Sequence, residues 1–73
     1  MMIYRVTVKQ SKLTSGIRVD RGMSVDVVSN SMNNPVTTNG GQDVVNAFMR
    51  VYGVDIRQAG ALSMAYLDVQ RIG

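Results

Sequence analysis

Residues 2–10 alternate in character. Tyr4, Val6 and Val8 fall on one side, and Arg5, Thr7 and Lys9 on the other. A period of two is that of a strand with one face buried. The alternation breaks over residues 11–16 (Ser-Lys-Leu-Thr-Ser-Gly), which read as a turn or loop. It resumes with Ile17 and Val19 inside, and Arg18 and Asp20 outside. Asp20-Arg21-Gly22 is a tight-turn signal, because Gly reaches positive φ and Asp bonds nearby amides. Met23, Val25 and Val27 then share a face opposite Ser24 and Asp26. Three short antiparallel strands are therefore expected over residues 2–29. Val28 falls out of phase on the nominally exposed side, a sign of partial cover near the strand end.

Residues 29–39 are polar and turn-rich and read as a surface loop of about ten residues, long beside the usual ~4–6. Pro35 holds Asn34 in an extended conformation. A helix follows, with Thr38 or Asn39 placed to cap it. Val44, Val45, Phe48, Val51 and Tyr52 cover one wide helical face, with Asp43, Asn46 and Arg50 opposite. Asp43 near the start and Arg50 near the end complement the helix dipole, and Gly53 ends the helix. Asp55 can cap one short turn that runs through Ala59 to Gly60. Residues 62–72 alternate again, with Ala65, Leu67 and Val69 on one face and Met64, Tyr66, Asp68 and Gln70 on the other. A strand fits best there. A helix over residues 59–72 stays open, because Ala, Leu, Met and Gln are good helix formers. The fold class is α+β: a small antiparallel or mixed sheet, in the order β-β-β-α-β, with one amphipathic helix packed on one face.

The chain has 73 residues and a mass of 8.0 kDa, so one domain, residues 1–73, is expected. A domain this small has a marginal core unless disulfides, a metal or a partner help it. Twelve Val favour extended backbone. There is no His, Cys or Glu, and the only anionic side chains are Asp20, Asp26, Asp43, Asp55 and Asp68. Nucleophile–His pairs and thiolate or imidazole metal sites cannot be built from these residues. No enzymatic activity, cofactor or bound metal is expected. No run approaches the ~20 apolar residues of a membrane helix, and charge arrives at Arg5, so neither a membrane role nor a cleaved signal is expected. The absence of Cys fits a reducing cytoplasm.

The net charge of +3 is unevenly distributed. Residues 1–21 hold Arg5, Lys9, Lys12, Arg18 and Arg21 against Asp20, which is +4. Residues 22–73 hold three Arg against four Asp, which is −1. By the alternation, Arg5, Lys9 and Arg18 share an outward face, with Lys12 and Arg21 near its ends. Such a stripe can attract phosphates or an acidic protein surface. It can equally be a solvated sheet face whose cations protect an exposed edge, and that plainer reading takes precedence at this charge density. Aromatic residues interleaved with the cations, the mark of single-strand binders, are missing from it.

The stretch Thr37-Thr38-Asn39-Gly40-Gly41 runs into a helix start but matches no phosphate-binding fingerprint, and reads as an ordinary capped loop. Met23 reads as core filling, while Met32 and Met64 are better placed for a contact surface. Met64 and Tyr66 share the second face of the last strand. If the helix covers one side of the sheet only, they mark an apolar remainder and a possible interface, with self-association into a two-fold dimer as one outcome.

Three stretches together carry a resemblance: Gly22-Met23-Ser24-Val25-Asp26-Val27-Val28-Ser29, Asn34-Pro35-Val36-Thr37-Thr38-Asn39-Gly40-Gly41, and Ala59-Gly60-Ala61-Leu62-Ser63-Met64-Ala65-Tyr66-Leu67-Asp68-Val69. They resemble a family of short bacterial proteins classed only as a domain of unknown function. The resemblance implies a bacterial cytoplasmic protein and transfers no activity, cofactor or site residue. The expected role is therefore a non-catalytic module that binds a protein partner or itself. The alternative is a nucleic-acid accessory protein using Arg5, Lys9, Lys12, Arg18 and Arg21.

Overall fold

The alternation of residues 2–10 becomes the central strand of a sheet. In the structure, a computed structural model that describes residues 1–30 and 32–73, β1 (Met2–Val8) turns Tyr4, Val6 and Val8 inward and leaves Ile3 and Arg5 exposed. The other strands are β2 (Lys12–Thr14), β3 (Ile17–Val19), β4 (Ser24–Ser29) and β5 (Leu67–Arg71), and the helix α1 spans Gln42–Tyr52. The α+β class is as expected. β1 lies between β4 and β5, antiparallel to both, and β2 and β3 form a separate two-stranded sheet.

That arrangement changes two expectations. Lys12–Thr14, read as loop, is a strand, paired Lys12↔Val19, Leu13↔Arg18 and Thr14↔Ile17. Ser15 and Gly16 between them both have positive φ, 52° and 77°, as a tight two-residue hairpin turn requires. Ile17–Val19 consequently pairs with β2, not with β1. Leu13 points outward and is exposed, so no apolar alternation betrays β2 in the sequence.

The inner face of the three-stranded sheet is covered by α1 and by the segment after it. Val44, Val45, Ala47 and Phe48 are the buried helix residues, and Phe48, Ile56, Leu67, Val6, Val8, Val19 and Val44 are the largest fully buried side chains. Each such burial is worth roughly 1.5–3 kcal/mol of transfer free energy. Val51 and Tyr52, assigned to the apolar helix face, lie instead at its exposed rim, with Ala47 taking their place in the core.

Neither Thr38 nor Asn39 caps α1. The Thr38 hydroxyl donates back to the Asn34 carbonyl at 2.8 Å, and a 3-10 turn at Asn39–Gly41 leads into the helix through Gly41. Gly41 has a φ of 72°, and a Cβ there would stand 3.0 Å from both the Leu62 side chain and the Val36 carbonyl oxygen. Only glycine fits that approach. At the other end Gly53 takes φ 67° and donates its amide to the Met49 carbonyl, as expected of the terminating residue.

Asp55 caps the following turn. Its Oδ1 accepts from the amides of Arg57 and Gln58, both at 3.1 Å, and its carbonyl accepts from Ala59. The last strand starts at Leu67, because Ser63–Tyr66 close a turn whose Ser63 carbonyl accepts from both Tyr66 and Leu67. The helical alternative for residues 59–72 is thereby removed. In the polar loop at 29–39, Asn34 Oδ1 accepts from Val36 N at 2.9 Å across Pro35, which is buried along with Val36; Ser31 of that loop lies outside the described residues.

Candidate interaction groove

The register lays the outer sheet face out in rows. Ile3 and Val28 are paired, and Ile72 reaches Ile3 from the other side by donating its amide to the Ile3 carbonyl. Those three residues are 37%, 54% and 45% exposed and form an apolar row across β4, β1 and the residue just past β5. The next row is Asp26, Arg5 and Gln70, and the next Ser24, Thr7 and Asp68. Val28, out of phase in the sequence, belongs to this face and is partly covered, as its position near the strand end suggested.

The rows also decide what becomes of the basic residues. Arg5 Nε lies 3.1 Å from Asp26 Oδ1, and Arg18 Nε lies 2.8 Å from Asp20 Oδ1. Lys12 Nζ sits 4.6 Å from the Tyr66 ring centroid and donates to the Gly60 carbonyl at 3.1 Å. Lys9 and Arg21 are exposed, and the Arg21 amide donates to the Ser11 hydroxyl. Arg5 and Arg18 thus stand in different sheets, each facing a carboxylate. The expected single stripe is divided.

Met64 and Tyr66 are separated as well. Tyr66 is half-buried, packs against the core and lies beneath Lys12. Met64 is exposed in the preceding turn, its sulfur accepting from Asn34 Nδ2 at 3.2 Å. The apolar remainder of the sheet is the row of Ile3, Val28 and Ile72 instead.

A feature absent from the sequence reading is a groove between β4 and α1. One end is lined by Arg5, Ser24, Asp26, Arg50 and Val51, the other by Asp26, Val28, Asp43, Asn46 and Arg50. The helix therefore runs antiparallel to β4. Beside this groove β4 is an edge strand. Val8 bonds Met23 and Gly22 through its amide and carbonyl, and Val6 and Tyr4 stand opposite Val25 and Val27. In an antiparallel ladder these alternate residues face each other, so Ser24, Asp26 and Val28 turn their main-chain groups out of the sheet. Those of Ser24 are already engaged: Tyr52 Oη accepts from its amide at 2.9 Å and donates to its carbonyl at 3.1 Å. The edge is closed at Ser24 and open at Asp26 and Val28.

Among the described residues no group of three His, Cys, Asp or Glu side chains could hold a metal ion, and no helix is long and apolar enough to cross a membrane.

The geometry defines a small α+β domain with a one-sided core and a groove beside an open edge strand. The chain belongs to a family of unknown function, DUF6140, whose family model matches residues 1–69. The resemblance to a family of unknown function is thus borne out over residues 1–69. No curated protein and no solved structure matches it.

Proposed function

We propose that the chain is a non-catalytic protein-interaction module that takes an extended segment of a partner along β4, in the groove beside α1. The observation that carries this reading is the open main chain of Asp26 and Val28, flanked by a helix wall. An added strand gains affinity from main-chain hydrogen bonds and specificity from the side chains that line the groove. Arg50, Asn46 and Asp43 are exposed there and differ in charge, which suits them to discriminate among segments.

The test is a photo-crosslinking residue in place of Asn46, compared with one in place of Gln58, which is exposed in the turn after α1. Protein adducts are expected from position 46, few from position 58, and loss of the former in Asp26→Pro. Proline removes the outward amide of an edge strand without breaking the ladder behind it. Equal yields at both positions, or adducts indifferent to Asp26→Pro, would overturn the reading.

The nucleic-acid alternative has less support, because Arg5 and Arg18 face carboxylates and Lys12 is held on Tyr66. Gel shifts with DNA and RNA at low salt separate the two. A shift that weakens steeply between about 50 and 200 mM salt, and that Lys9→Glu/Arg18→Glu abolishes, would favour it.

A further inference from the structure

We infer that the segment taken by this groove is a free C-terminal peptide, its α-carboxylate held by Arg50 and its main chain paired with Asp26 and Val28. The inference rests on the groove reading above and names the partner's chemistry.

Three observations converge on it. The first is the closed end. Tyr52 occupies the outward groups of Ser24, so an incoming strand must stop at that point. The second is charge. Arg5 and Arg50 both line the closed end, but Asp26 neutralises only Arg5. Among the described residues the Arg50 guanidinium has no ion-pair partner. Asp43 stands at the open end instead. Arg50 and Asp26 reach both ends, so by formal charge the closed end holds Arg5 and Arg50 against Asp26, and the open end Arg50 against Asp26 and Asp43. The third is direction. An antiparallel strand, the more stable pairing, enters beside Val28 and ends beside Ser24. Its carboxylate then meets Arg50, and its last side chain lies on exposed Val51, so an apolar final residue fits. An N-terminal ammonium at that end would meet a like charge.

A second copy of the chain fits this edge poorly. α1 packs against β4. Pairing two β4 strands would set the two α1 helices side by side on one face, where packed helices need ~8–10 Å between their axes. A lone extended peptide carries no helix and avoids that constraint.

The experiment selects binders from short random peptides displayed in two formats, one with a free C terminus and one followed by a fixed Gly-Ser extension. Enrichment is expected in the free format alone, with apolar final residues. A selected peptide is then made as acid and as amide. Amidation should weaken binding to the native chain about tenfold or more, the size of a charge-assisted hydrogen bond, and should matter little to Arg50→Gln. That cycle separates carboxylate recognition from a general effect of Arg50 on the fold. Equal enrichment of the extended library, or an amidation penalty undiminished in Arg50→Gln, overturns the carboxylate reading. The groove reading survives that result if Asp26→Pro still abolishes binding. No enrichment in either format overturns the inference, and joined to an absence of adducts at position 46 it removes the groove reading too. A dimer in sedimentation that Asp26→Pro dissociates would assign the edge to a second copy and overturn the peptide.

Discussion

Tyr52→Phe tests the closed end of the groove directly. The substitution keeps the ring that stacks on Phe48, whose centroid is 5.9 Å away, and removes only the hydroxyl. Two hydrogen bonds are lost, one from the Ser24 amide and one to its carbonyl. Each is worth about 0.5–1.5 kcal/mol net when well buried. Tyr52 is 40% exposed, so water replaces part of both, and a total of about 1 kcal/mol is expected. For a domain of this size that lowers Tm by roughly 4–8 °C. The sharper readout is amide hydrogen exchange. Ser24 should lose protection about fivefold more than Val25, whose amide belongs to the interior ladder with Val6. In peptide selection, the variant should accept strands reaching one pair further along β4. Unchanged exchange at Ser24 would show that the hydroxyl does not close the edge, and the argument for a chain end at that point would fail with it.

Three further outcomes check the packing. Phe48→Ala removes the largest fully buried side chain and should cost about 3–5 kcal/mol, enough to leave a chain this small largely unfolded by circular dichroism at room temperature. Gly41→Ala forces a Cβ to 3.0 Å from Leu62 and from the Val36 carbonyl at positive φ, and should lose about 2 kcal/mol or more in urea titration; Gly16→Ala, also at positive φ but with open space around it, should lose less. A double-mutant cycle on Arg5 and Asp26, 51% and 49% exposed, should give only about 0.2–1 kcal/mol of coupling, most of it gone near 1 M salt; a larger, salt-insensitive value would show the pair to be buried.

Local periodicity carried the elements that hide one clean face. The inward residues of β1 and β4, the buried side of α1 as far as Phe48, its end at Gly53 and the Asp55 turn all follow from residue order alone. What escaped is non-local or lacks an apolar signature. β2 points its one apolar residue, Leu13, at solvent, so its pairing with β3 leaves no trace in the hydrophobic pattern. β5 comes from the far end of the chain to lie beside β1, a neighbour no window around either strand contains. The same register sets Asp26 against Arg5 and so divides a basic stripe that the separate strands appeared to share. Tyr52 sits at a core spacing of the helix, but at the margin of the apolar stripe, where its hydroxyl could reach β4. The groove was illegible for a different reason: its central groups are main-chain, and every sequence has those.

The sheet has two edges and one uncovered face, and they are not equivalent as binding surfaces. On the outer face the apolar row comprises Ile3, Val28 and Ile72, each already partly covered, and beyond it come ionic and hydroxyl rows. A stable interface needs about 800 Å² per partner, more than three such side chains supply, so the row can contribute to an interface centred elsewhere but not constitute one. At the β5 edge, Leu67 has given its amide to Ser63, and Arg71 donates Nε to the Gly73 carbonyl just past the strand. Among the described residues, only β4 combines free main-chain groups with a helix wall, a stop at Ser24, Arg5 at one end and Asp43 at the other. An edge meant only to be protected would be expected to carry its cation on the strand itself. On the reading proposed above, Arg50 is supplied from the helix across the groove, which leaves the strand open and places the charge where an arriving chain would end.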